Sequence, residues 1–173
     1  RPDLWILGSS LFGAKLAAVL GLPYAFASHF APDALDEALA IYRREFRPSP
    51  QLDRPYAMAG FNVFAADTRE DAEFLASSQQ QAFVALRTGN PRQLPPPIAG
   101  YRESLPPQHA AILNHVLQCT AIGTRDEVAR GIAAFVARTG VDEVMLTSMM
   151  YDHEARKRSF ALAAEAMQAP EPA

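Results

Sequence analysis

Apolar and polar positions along the chain fall into short apolar runs separated by amphipathic stretches. Trp5, Ile6 and Leu7 form a run that meets Gly8-Ser9-Ser10. An alanine- and leucine-rich stretch, 14–20, stops at Gly21, and a second apolar run, Tyr24 to Ala27, follows Pro23. Strand, loop, helix and strand in about 25 residues make one βαβ unit, whose strands pair in parallel. Leu35, Leu39, Tyr42 and Phe46 recur at helical spacing and predict a helix from about Asp33, its N-cap, to Phe46. Tyr56 to Ala66 is apolar at nearly every position, the pattern of a strand buried on both faces. Acids after Asp67-Thr68 open a helix that runs to about Arg87, and Pro107 to Leu117 reads as another. Thr124 and Glu127 form a capping box ahead of a helix ending at Gly140. Glu143 to Thr147 is the next strand, Asp152 to Met167 the closing amphipathic helix, and Gln168 to Ala173 a loose tail.

Four parallel strands with covering helices result, an α/β fold that suits either an open doubly wound sheet or half of an eight-stranded barrel. Between the helical stretches, Gly89 to Pro107 is a proline-rich insertion that includes Pro95-Pro96-Pro97. Such a segment either covers an active site or makes a surface excursion.

Composition narrows the classes. At 173 residues the chain suits one domain. Its net charge of −3 and dispersed basic residues argue against nucleic acid or an anionic membrane as partner. The single cysteine, Cys119, excludes an internal disulfide and fits a cytoplasmic location. No apolar run reaches the roughly 20 residues of a membrane span. The chain opens on Arg1-Pro2-Asp3 and passes directly into a buried-looking strand, so a piece of a larger fold is expected.

In parallel α/β folds ligands sit at the carboxyl ends of the strands. The first such loop is Gly8 to Gly13, with small side chains, two hydroxyls and backbone N–H groups at a helix start. Either it cradles an anion such as phosphate, or Ser9 or Ser10 merely caps the helix. It is neither a P-loop nor the dinucleotide pattern, which would need a second glycine at Ser10. His29, just past the second strand, could move a proton or bond a ligand, or be an ordinary loop histidine. Asn62 is polar inside an apolar strand and needs a partner, as a packing-network or a site-lining residue. Met149 and Tyr151 line an apolar pocket or pack under the last helix, and Asp152 and Arg156 form a local pair. His109, His115 and His153 lack metal-ligand spacing, so no metal site is expected.

Three blocks carry a family likeness: WILGSSLFGAKLAAVLGLPYAFASHF, YAMAGFNVFAADTREDAEFLA and IGTRDEVARGIAAFVARTGVDEVMLTSMMYDHEARKRSF. In this order they resemble the bacterial luciferase-like flavin-dependent monooxygenases across nearly the whole chain. The resemblance implies a TIM (β/α)8 barrel of which residues 1–173 supply the second half, strands five to eight. It implies reduced FMN as cofactor, delivered by a flavin reductase, with the deazaflavin F420 as the lesser alternative. It places the flavin phosphate on Ser9 and Ser10, with the backbone at Gly8 and Gly13 assisting, and His29 and Asn62 toward the flavin or substrate as catalytic residues. The insertion would pack over the barrel mouth. Implied partners are O2, a small organic substrate and further copies of the full-length chain. Halving a barrel exposes two strand edges, and whole barrels take about 250 residues, so the isolated chain should be marginally folded and inactive. A non-catalytic flavin- or phosphate-binding protein of the same fold is the alternative.

Overall fold

The structure, a computed structural model, describes residues 2–168, so the expected tail lies outside the described residues beyond Gln168. The chain divides into two compact units, residues up to Phe61 with Phe135–Leu146, and Asn62–Ala134 with Thr147 onward.

The first unit opens with β1 (Ile6–Gly8), α1 (Leu11–Leu20) and β2 (Tyr24–Phe26). β1 pairs in parallel with β2, Leu7 opposite Ala25. β2 in turn pairs in parallel with the opening of β3 (Ala57–Ala65), Ala25 opposite Met58. Alanines at 14, 17 and 18 are buried, and this small-residue face lets α1 pack against α2 (Leu35–Glu45). Gly21 ends α1 at φ +62, where its N–H bonds back to Ala17 and Ala18. A side chain there would strike the Arg47 carbonyl, so only glycine fits. Helix α2 begins later than its pattern suggests: Ala34 occupies the N-cap, without a side-chain bond, in place of Asp33.

Aromatic rings fill this unit's core, Tyr24 lying 5.4 Å from Tyr42 and Phe61 4.6 Å from Phe135. The Tyr42 hydroxyl donates toward the carbonyls of Leu22 at 2.9 Å and Tyr56 at 3.2 Å, and accepts from the Tyr56 N–H at 3.1 Å. One phenol thus satisfies the approaches to both β2 and β3. Asp142, just ahead of β5 (Glu143–Thr147), accepts from the Ala57 N–H at 2.8 Å and returns its own N–H to the Ala57 carbonyl.

The second unit takes the rest of β3 into α3 (Arg69–Arg87), capped by the Thr68 hydroxyl on the Asp71 N–H. The proline-rich insertion follows, then α4 (Pro107–Val116) and a short 3-10 turn ending at the buried Cys119. A strand absent from the sequence reading comes next: β4 (Thr120–Gly123), parallel to β3 with Val63 opposite Ala121. Among the described residues five strands therefore stand where four were expected. The capping-box carboxylate of Glu127 accepts from the Thr124 N–H at 2.8 Å as α5 (Arg125–Thr139) begins. Helix α6 (His153–Gln168) closes the unit, with the Asp152 carboxylate accepting from Ala155 N–H and Arg156 lying against His153.

The insertion is ordered against α3. Ile98 N–H donates to the Ser77 hydroxyl, Gln81 donates to the Pro96 carbonyl, and Tyr101 and Leu105 pack on Phe83, Val84, Leu113 and Val116.

Replacing Tyr42 with phenylalanine strands buried backbone groups, a loss of about 1–3 kcal/mol. The expected outcome is a lower urea midpoint with an unchanged slope.

Candidate functional site

The loop after β1 is set by three local features. Gly8 ends the strand, and its carbonyl accepts from the Ala27 N–H at 2.9 Å, which ties this loop to the one after β2. Ser10 is the N-cap of α1 in extended backbone, yet its side chain makes no capping bond and the first turn carries no acid. Ser9 and Ser10 are exposed. The alternative of a simple hydroxyl cap at Ser10 is therefore not what the chain adopts. An uncapped helix start concentrates partial positive charge on its first N–H groups, and two free-standing hydroxyls add donors beside it.

Beneath the turn lies Tyr24. Its hydroxyl donates to the Ser10 carbonyl at 3.3 Å, and burial pushes its pKa up to about 12, so it remains a neutral donor. Side chains at Gly8 or Gly13 would make only ordinary contacts, at 3.6 Å and 3.5 Å. Packing within the chain thus does not demand either glycine.

His29 follows β2 on the same rim, in the turn closed by Phe30 N–H and Ala31 N–H on the Ala27 carbonyl. Its half-buried ring rests on Gly60, where a Cβ would overlap Nδ1. The neighbouring Ser28 hydroxyl donates to the Gly60 carbonyl at 2.6 Å. Burial lowers the His29 pKa from the ordinary 6.5, so the ring is neutral at pH 7, with one nitrogen donating and one accepting.

Asn62 belongs to the second unit and is 0% exposed. Its carbonyl oxygen accepts from Thr147 at 2.7 Å and Gln79 at 3.1 Å, and its amide donates to Thr120 at 3.2 Å. The residue ties β3 to β4, α3 and the end of β5. Met149 and Tyr151 are exposed, while Met150 between them is buried against Phe64 and Ala76. Sequence reading missed Tyr24, Thr120, Thr147 and Gln79, though a buried asparagine does signal that hydroxyl or amide partners exist. Among the described residues no group of three or more His, Cys, Asp or Glu could hold a metal, and no helix is long and apolar enough to cross a membrane.

The described residues thus form a parallel α/β protein whose first βα turn carries exposed hydroxyls and no side-chain cap. Residues 1–143 match the luciferase-like monooxygenase family, and the chain belongs to it. A "Luciferase-like monooxygenase" of Escherichia coli K12 is 47% identical over 163 residues, covering 94% of this chain and 49% of that protein. Apo-MsnO8 superposes with a TM-score of 0.77 at 28% identity, over 98% of this chain and 52% of that one. A Pseudomonas putida type II Baeyer-Villiger monooxygenase in complex with FMN shares the fold at a TM-score of 0.61 and 19% identity, over 99% of this chain and 50% of that one. An F420-dependent secondary alcohol dehydrogenase does so at 0.62 and 14%, over 98% and 50%. The chain spans about half the length of the curated relatives it matches.

Because the folded state holds His29 neutral, its contribution to stability is present above pH 6.5 and is lost as pH falls below 6.5 toward the depressed folded value. An NMR titration should place the His29 midpoint below 6.5, and a midpoint at or above 6.5 contradicts the burial. Gly60→Ala should displace the ring or cost about 1–3 kcal/mol by overpacking, read from the same spectra and a denaturant melt.

Proposed function

We propose that this chain is the second half, strands five to eight, of a TIM-barrel flavin-dependent monooxygenase, and that its first βα turn holds the phosphate of FMN. The observation that carries the reading is the α1 start, with no side-chain cap, no first-turn acid and exposed hydroxyls at Ser9 and Ser10. That donor set fits a phosphate dianion, which would accept from both hydroxyls and from the N–H groups around Gly13. When bound, reduced FMN supplies the electrons with which O2 oxidises a small organic substrate. His29, neutral and held against Gly60, orients or polarises the reacting edge through a hydrogen bond. Asn62 acts from behind, fixing the Thr147 hydroxyl at the end of β5. FMN is favoured over F420 because the turn offers donors for one terminal phosphate. A flavin reductase delivers the reduced cofactor, and the full-length protein works in the cytoplasm as an assembly of copies.

The half-barrel reading has its own support. β1 closes one end of the strand order, and around it Leu7 and Phe12 are 73% and 74% exposed, beside exposed Leu4, Val19 and Leu20. An edge strand and helix face this apolar are what a neighbouring strand and helix would cover. Relatives twice as long contain such a segment's worth of chain.

Two measurements test these statements. In a full-length barrel carrying this chain, replacing Ser9 and Ser10 with alanine should weaken FMN, since each hydrogen bond to a charged group is worth about 1.5–3 kcal/mol. Unchanged affinity removes the phosphate assignment, whereas His29→Ala should lower turnover more than affinity. Co-expression with the first half of the Escherichia coli relative should convert an association-prone chain into a defined one-to-one complex. A stable, cooperative monomer without that half rejects the half-barrel.

A further inference from the structure

The second unit holds a cleft that the flavin reading leaves unused. It has a volume of about 450 Å³ and lies between the first half of α3 and the insertion segment Ile98–Glu103. Cavities of this size accept small organic molecules. None of Ser9, Ser10 or His29 lines it.

Its lining is chemically uneven. Phe74, Ile98 and Tyr101 supply an aromatic and aliphatic wall, with Phe74 and Ile98 exposed toward the opening. Gln80 is only 4% exposed, yet its amide bonds to no other described residue although it lines the cleft. The stem is buried while the amide atoms reach the open cleft, so this group has no competing partner among the described residues and is available to a ligand. Carboxylates outnumber guanidiniums on the lining, Glu70, Asp71, Glu73 and Glu103 against Arg69 and Arg102. Both cations are held by the protein: Arg69 bridges Glu73 and Glu127 at 3.0 Å each, and Arg102 donates to Asn114. Asp71 is taken up in the α3 cap with Thr68. Glu70 and Glu103 pair with no described cation, and the Glu103 carboxylate lies over Gly100, 3.9 Å from where its Cβ would stand.

We propose that this cleft binds a small organic cation, a protonated amine on an aromatic or aliphatic body. The body lies against Phe74, Ile98 and Tyr101, where a ring face also attracts positive charge. The ammonium faces Glu70 and Glu103 and donates to the side-chain oxygen of Gln80. The order of the insertion follows from its anchors on Ser77 and Gln81, so the cleft is built before the ligand arrives.

Three probes of one size and different charge test this in the full-length barrel that carries this chain: phenethylamine, phenethyl alcohol and hydrocinnamate. Followed by backbone amide NMR shifts, phenethylamine should bind saturably at Gln80 and the Ile98–Glu103 loop, ahead of the alcohol, with hydrocinnamate weakest. The surface pair Glu70→Gln and Glu103→Gln should cost the amine about fivefold in affinity, the scale of two partly exposed ion pairs, and leave the alcohol unchanged. Gln80→Met should weaken amine and alcohol together. Equal affinity for amine and acid, unchanged amine binding in the glutamine pair, or shifts confined to other residues would each overturn the proposal. Because Ser9 and Ser10 do not enter, loss of the phosphate assignment leaves this outcome untouched, and the reverse holds.

Discussion

The constraint on which the structure depends is the burial of β3. Every residue from Ala59 to Ala66 is buried, so each backbone group and each polar side chain there needs a partner inside the protein. Strand pairing meets part of the need, and isolated side chains meet the rest. Asp142 accepts from Ala57 N–H, Ser28 donates to the Gly60 carbonyl, and the Ser159 hydroxyl accepts from Ala65 N–H at 2.9 Å. Asn62 does the same in reverse, an amide inside the strand that collects Thr147, Gln79 and Thr120. These ties fix where the strand's neighbours can lie, and with them the loops that carry the candidate site.

Charge at that site is managed without ionised side chains. Tyr24 and His29 are both kept neutral by burial, one pushed up and the other down. On the proposed reading, an anion there would meet only the helix start and hydroxyl dipoles, which need no proton to be gained or lost near pH 7. The second unit places its charges differently, on the surface: Arg158 reaches Asp67 at 2.8 Å, and Arg69 gathers two glutamates. Exposed pairs of this kind contribute little to stability.

Much of this was legible in the residues. Short apolar runs located β1, β2, β3 and β5, and amphipathic stretches with their caps and stops located the helices from α1 to α6. β4 escaped because Thr-Ala-Ile-Gly is too short to show a period, and its strand state is imposed by pairing with β3. Asp33 looked like a cap because aspartate favours that position, but the turn through Pro32 starts the helix later. The turn Gly8–Gly13 was recognisable as a candidate site from its small residues, whereas its missing side-chain cap is a matter of one rotamer and invisible in sequence. Asn62 announced that partners existed without naming them, since Thr120 and Thr147 are 58 and 85 positions away.

The seat of His29 on Gly60 carries a consequence for how such a chain can change over generations. With the imidazole in place, any side chain at position 60 must push the ring aside, while a smaller residue at 29 would remove that conflict. The two positions are thus epistatic in packing: a variant at 60 that clashes in this background no longer clashes once 29 has changed. Descendants should therefore reach new side chains at these sites in a fixed order, the histidine first and the glycine after it.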